Sequence, residues 1–157
     1  MKFKQILVGF VGAVAIVAAT GYWYVMVAGA PQLDPPPVTR EATGMRFQLE
    51  TFHSAALGQT RTYGIILPPD YAKHAHQRYP VVILLHGGHG DARAWQDKAA
   101  VITVLHNLYK QHQIPPLIVV TPDGNDRRGT SPFWDPQYFN GPNGKIDTLI
   151  GDELVQV

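Results

Sequence analysis

The residues best suited to chemistry lie together. Leu84-Leu-His-Gly-Gly-His-Gly-Asp91 follows directly on the apolar run Pro80-Val-Val-Ile-Leu-Leu85. A continuous apolar run of that length reads as a strand covered on both faces of a parallel sheet. Ligands of open α/β sheets bind beyond the carboxyl ends of such strands, so the loop occupies a functional position. Its glycines let backbone N–H groups approach a ligand closely and take up unusual backbone angles. An oxyanion hole needs that property, because its N–H donors must face the charge that develops on a tetrahedral intermediate. The rival chemistry is a metal centre, since His86, His89 and Asp91 are the residue types of three-ligand zinc sites. Against it, His-x-x-His-x-Asp here lies on a glycine loop with no helix to fix the ligands. A glycine-rich turn without a ligand is the bland alternative.

Other candidates carry less. Asp123-Gly-Asn-Asp126 has the composition of a calcium loop but not its spacing, and a satisfied loop aspartate is the better reading. His74, His76, His106 and His112 read as surface polar residues. The chain has no cysteine, which removes disulfides, thiolate metal sites and a cysteine nucleophile. No metal and no cofactor is expected. Thirteen Lys+Arg against 12 Asp+Glu leave no basic surplus to neutralise phosphates, so nucleic acid is excluded as a partner.

The elements that must position this loop begin with an unusual N-terminus. From Ile6 to Ala30 there are 25 residues without a charge, preceded by Lys2 and Lys4. That is the layout of an export signal. As a helix, 25 residues reach about 37 Å, enough to cross a hydrocarbon core of about 30 Å with some tilt. Tyr22-Trp23-Tyr24 would sit at the far interface, and the lysines would keep the N-terminus on the cytoplasmic side. An uncleaved membrane anchor is favoured over a signal peptide cut after Ala28-Gly29-Ala30, because Pro31 would follow the cut. Gly9 and Ala13 form a small-xxx-small pair that carries little weight. Residues 1–30 are therefore read as signal or anchor, and 31–44, with Pro35-Pro-Pro37, as a stiff extended spacer.

Residues 45–157 read as one α/β domain. Met45–His53 alternates like a half-buried strand, Ser54–Gly58 is a turn, and Arg61–Leu67 completes a hairpin. Val101, Val104, Leu105 and Leu108 mark one face of a helix ending near Gln113, before Pro115-Pro116. Leu117–Thr121 is a second buried strand, so the helix is the crossover between parallel neighbours. Ile146–Val157 reads as a loop entering a helix, with Asp152 and Glu153 in its first turn.

These segments together resemble a known family. Tyr63-Gly-Ile-Ile-Leu-Pro-Pro-Asp-Tyr71, Tyr79-Pro-Val-Val-Ile-Leu-Leu-His-Gly-Gly88, Trp95 and Pro116-Leu-Ile-Val-Val-Thr-Pro-Asp-Gly124 look like the putative-esterase family. This is the branch of the α/β hydrolases that holds feruloyl esterases, S-formylglutathione hydrolase and mycolyltransferases. The resemblance implies ester hydrolysis, or acyl transfer, through a serine acyl-enzyme, with an ester as substrate. It implies that the Gly88 N–H is an oxyanion donor, that Gly87 lets the turn form and that His86 buttresses it. Trp95 would line the substrate cleft, with His89 and Asp91 at its rim. Phe133-Trp134-Asp135 and Tyr138-Phe-Asn-Gly141 would be either an aromatic wall or ordinary loop packing.

One departure from the family is large. Such enzymes carry a Gly-x-Ser-x-Gly nucleophile elbow, then an acid and a histidine. This chain has two serines, Ser54 in a hairpin turn and Ser131 before a proline, and neither is an elbow. The expectation is the N-terminal part of an α/β-hydrolase sheet, an incomplete exported esterase that lacks its nucleophile and is inactive as it stands. The alternative is a membrane-tethered binding module without turnover. It is disfavoured because Val81–Leu85 should pair with the missing elbow strand and would leave an apolar edge open. Oligomeric state is not legible.

Overall fold

The structure, a computed structural model, describes residues 3–28, 44–74, 76–88, 90–130 and 138–157. The Ala28-Gly29-Ala30 cleavage motif past Ala28, the proline spacer, His89, Ser131 and Phe133-Trp134-Asp135 therefore lie outside the described residues. The chain divides into two units, Met1–Pro35 and Pro36–Val157.

In the first unit, α1 runs over Phe3–Tyr22 and continues as a wider helical turn, Trp23–Val27. Its 25 residues are long and apolar enough to cross a membrane. None of the side chains of α1 is buried against protein. A run rich in Val and Ile forms helix when no water competes for its backbone, because a helix satisfies every N–H and C=O internally.

The second unit is built on a four-stranded sheet. β1 (Phe47–Ser54) and β2 (Gln59–Ile66) form the expected hairpin, in register from Phe47 opposite Ile66 to Ser54 opposite Gln59. β3 (Val81–Ile83) and β4 (Ile118–Pro122) are parallel neighbours, and the sheet order is β1-β2-β4-β3. The crossover between them is two helices, α2 (Ala94–Ala99) and α3 (Val101–Lys110), hinged at Ala100, whose φ of 45° is left-handed. One face of the sheet packs on these helices through Met45, Ile66, Val101, Leu105 and Val119. Gly64 leaves room within the sheet for its neighbours: a Cβ there would run into the Phe47 ring and the Thr121 hydroxyl.

β4 is buried along nearly its whole length, as its apolar run requires. β3 departs from the expectation of a strand covered on both faces. It is short and exposed, with Val81 57% and Val82 37% accessible. The reason is its place at the end of the strand order, where among the described residues β4 is its single partner. β1 is likewise an outer strand, so its alternation does not translate into half-burial, and Leu49 stays exposed. On α3 the buried stripe runs through Val101, Ile102, Leu105 and Tyr109, while Val104 faces solvent. The expected face is thus rotated by one position, because the i, i+4 ridge and not the i, i+3 neighbour meets the sheet.

The C-terminal segment is helical from its start. Residues 140–145 form a small hairpin, β5 (Asn140–Gly141) with β6 (Gly144–Lys145). It leads directly into α4 (Ile146–Thr148), a wider turn (Leu149–Glu153) and a 3-10 turn (Leu154–Gln156). Asp147 occupies the first turn, correcting the placement of Asp152 and Glu153 there. Glu153 instead reaches back to the β1–β2 turn. It accepts the Ser54 hydroxyl at 2.5 Å and the Ala56 N–H at 2.8 Å. Below it, Leu57, Ile146 and Leu149 form a second apolar cluster.

Candidate active site

The loop after β3 is held from beneath by the residues that follow β4. Thr121, at the end of that strand, donates its buried hydroxyl to the carbonyl of Ala92 at 2.7 Å. Two residues past β4, the Gly124 N–H donates to His86 Nε2 at 3.0 Å. Asn125 Nδ2 then donates to the carbonyl of Gly90 at 2.9 Å. Residues 86, 90 and 92 are thus pinned, and Gly87 and Gly88 project between the pins. Both are exposed. Among the described residues, no acceptor stands opposite either of their N–H groups. Two exposed, unengaged backbone donors beyond the carboxyl end of a parallel strand can bind an anion.

His86 is buried, with 4% of its surface accessible, and its hydrogen bonds fix its form. Nε2 accepts from Gly124, so the proton sits on Nδ1, which donates to the Gly87 carbonyl at 2.8 Å. The ring is therefore neutral, and its 3.9 Å separation from Asp123 Oδ1 is not an ion pair. Its own carbonyl accepts the Tyr138 hydroxyl at 2.5 Å, with the two rings edge-to-face. Burial, with the Asp123 charge adding to it against the hydrogen bond to His86, pushes the Tyr138 hydroxyl up to about 12. It remains a donor at any physiological pH.

The expected roles divide accordingly. His86 links the Gly87 carbonyl to the Gly124 N–H through its two ring nitrogens. Gly87 has no left-handed φ, and a Cβ there would meet nothing within 4 Å, so the turn does not depend on its conformational freedom. The constrained glycine is Gly90, where a Cβ would stand 2.8 Å from His86 Nδ1. Trp95 is half-buried on the core cluster and donates its indole N–H to the Leu85 carbonyl at 3.1 Å. That bond steadies the end of β3. Asp91 is exposed and accepts the Arg93 N–H at 2.8 Å, shaping the turn into α2. His89 lies outside the described residues, so the zinc alternative finds two of its three ligands here, His86 with both ring nitrogens engaged.

Reading the sequence missed the polar base of the loop. Arg61 rises from β2 with 8% of its surface accessible. Its Nη2 donates to the carbonyls of Asp123 at 3.0 Å and Asn125 at 2.6 Å, and pairs with Asp123 Oδ2 at 3.2 Å. Asp123 is thus a satisfied loop aspartate, as its setting implied. A faint signal existed: Asp-Gly-Asn directly after a buried strand lies at the same sheet edge as the glycine loop. Nothing in Arg61-Thr-Tyr-Gly-Ile marked that arginine as buried.

Comparison with known proteins shows the family of the chain. The profile of the family described as putative esterase matches residues 54–156. A ferulic acid esterase structure aligns over 73% of this chain and 41% of its own, with 25% identity and a TM-score of 0.64. A mutant of the feruloyl esterase module from Clostridium thermocellum, complexed with sinapinate, aligns over 61% of this chain and 34% of its own, at 25% identity and a TM-score of 0.50. An S-formylglutathione hydrolase from Agrobacterium tumefaciens shares the fold, at 19% identity, with 77% and 46% covered and a TM-score of 0.52. The chain spans about two fifths of the length of the ferulic acid esterase it matches. With about two thirds of its residues inside the family profile, the chain belongs to the putative-esterase family of α/β hydrolases.

Proposed function

We propose that this chain supplies the oxyanion-binding part of an exported carboxylic-ester hydrolase or acyltransferase that works through a serine acyl-enzyme. The observation that carries the reading is the pair of exposed, unengaged N–H groups at Gly87 and Gly88 beyond β3. In this reading the Gly88 N–H donates to the carbonyl oxygen of the ester as it becomes an oxyanion. Such a donor is worth roughly 3–4 kcal/mol of transition-state stabilisation when it is preorganised. His86 holds the turn, and Asp91 and Trp95 contribute to the substrate side of the site.

The nucleophile is proposed to lie outside these 157 residues. Ser54 is fully buried and committed to Glu153, and no Gly-x-Ser-x-Gly occurs in the sequence. The chain alone is then a binder of acids, not a catalyst. Phe3–Val27 is proposed to act as a membrane anchor that leaves the domain on the extracytoplasmic side, a role that its length and apolar character support.

The test is an amide-resolved NMR titration of the full chain in detergent micelles with acetate and with ferulate. Selective, saturable shifts at Gly87 and Gly88 are expected. Shifts absent there, or spread evenly over the surface, would remove the oxyanion reading.

A further inference from the structure

We infer that Asn125, locked in place by Arg61, is the positioning residue of the oxyanion loop. The inference rests on the oxyanion reading of Gly87 and Gly88 and goes beyond it, to what sets their geometry.

Among the described residues, the hydrogen bonds within the loop are the long Gly90 N–H to Gly87 carbonyl contact at 3.3 Å and the His86 side chain on the Gly87 carbonyl. Its far side is fixed from outside, by Asn125 on the carbonyl of Gly90. That amide is 4% accessible and is itself over-determined. Its Nδ2 lies 2.7 Å from Asp123 Oδ1 and 3.3 Å from Thr130 Oγ1, and its backbone N–H donates to Asp123 Oδ1 at 3.0 Å.

Arg61 closes the unit from below. One guanidinium nitrogen takes the carbonyls on either side of Gly124 and the second oxygen of Asp123. The buried charge is balanced by that carboxylate and two carbonyl dipoles, the condition under which a buried ion is tolerated. Its Nε has no acceptor among the described residues. The same clamp fixes Gly124, whose N–H sets the tautomer of His86. A chain of contacts therefore runs from β2 through residues 123–125 to both ends of the Gly87–Gly88 segment. Side chains that fix reacting groups to within about half an ångström are what preorganised sites require.

The test uses the full chain in detergent micelles, wild type against Asn125→Ala, Asn125→Ser and Thr130→Val. Three readouts are taken: the amide resonances of Gly87, Gly88 and Gly90, the imidazole nitrogen resonances of His86, and the affinity for acetate. Asn125→Ala is expected to move the three glycine amides and to weaken acetate about tenfold, roughly one hydrogen bond's worth. The His86 tautomer should persist, because Gly124 still donates to it. Asn125→Ser, which keeps a donor, should restore part of the affinity, and Thr130→Val, which removes only the 3.3 Å contact, should move the three glycine amides less than Asn125→Ala does. Thermal melts of the same samples identify any variant that merely unfolds, and Asn125→Ser then decides. If Asn125→Ala binds acetate like wild type with unmoved glycine amides, the positioning inference is overturned. If wild type itself shows no glycine response to acetate, the oxyanion reading fails instead, and the amide shifts of the variants still decide whether Asn125 sets the loop.

Discussion

Tyr138→Phe isolates one bond of the candidate site. The substitution removes a single hydroxyl and leaves the ring edge-to-face with His86, 5.8 Å between centroids, so no cavity opens. What is lost is the donor to the carbonyl of His86, a residue with 4% of its surface accessible. A buried carbonyl deprived of its partner costs about 1–3 kcal/mol, more than the net worth of an average hydrogen bond. For a domain of this size that corresponds to a drop of roughly 3–10 °C in melting temperature. The assay is a near-UV circular dichroism melt of the full chain in micelles, with Tyr109→Phe as the comparison. Tyr109 makes two longer bonds to Leu117, donating to its carbonyl and accepting its N–H at 3.3 Å each, and should cost less. The pH dependence of wild type supplies the sign. The Tyr138 hydroxyl is raised in the folded protein, so its contribution is complete below the unfolded value near 10 and is lost as pH rises through about 12. A Tyr138→Phe melt indistinguishable from wild type, or no different from Tyr109→Phe, would refute the claim that Tyr138 holds the His86 turn.

Three further outcomes follow from the same contacts. Gly124→Ala drives a Cβ into the Tyr138 ring and should therefore destabilise more than Tyr138→Phe, measured by urea denaturation; an equal or smaller loss would mean that the ring moves freely. Ile66→Ala, at a core side chain 1% accessible, should cost about 2–5 kcal/mol in the same experiment, and a loss under 1 kcal/mol would contradict the placement of the core. Glu153 is held below its ordinary value first by the Ser54 hydroxyl and then by backbone N–H groups. Its contribution is present above the ordinary carboxylate pKa and fades as pH falls through the lowered one. The melting-temperature gap between wild type and Glu153→Gln should thus be widest at neutral pH and close in acid; a gap independent of pH would show that the carboxylate is not what anchors the C-terminal segment.

The sequence was most legible where one residue type forces one answer. The hairpin Phe47–Ile66, the buried strand Ile118–Pro122 and the crossover helix Val101–Lys110 follow from period and turn chemistry alone, whereas the preceding helix Ala94–Ala99 was not marked. Less was legible where position in the sheet overrides pattern. Val81-Val-Ile83 has the composition of an interior strand, yet its burial depends on a neighbour that local sequence does not encode. The C-terminal helix begins at Ile146 because the Asn140–Lys145 hairpin delivers the chain there, a turn signal in Asn-Gly-Pro-Asn-Gly that was passed over. In the site, His-Gly-Gly announced the exposed donors. Arg61 and Asn125 remained hidden, because the Arg61 side chain meets a backbone carbonyl 64 positions away, a contact that carries no periodic mark.

The central claim is that Gly87 and Gly88 serve a serine ester hydrolase whose nucleophile lies outside these residues. The most direct measurement is the nucleotide sequence across and beyond the Val157 codon, read in all three frames on freshly amplified template. The account predicts a Gly-x-Ser-x-Gly within a few tens of codons, in frame or one shift away. A clean stop with no such motif behind it in any frame would contradict it.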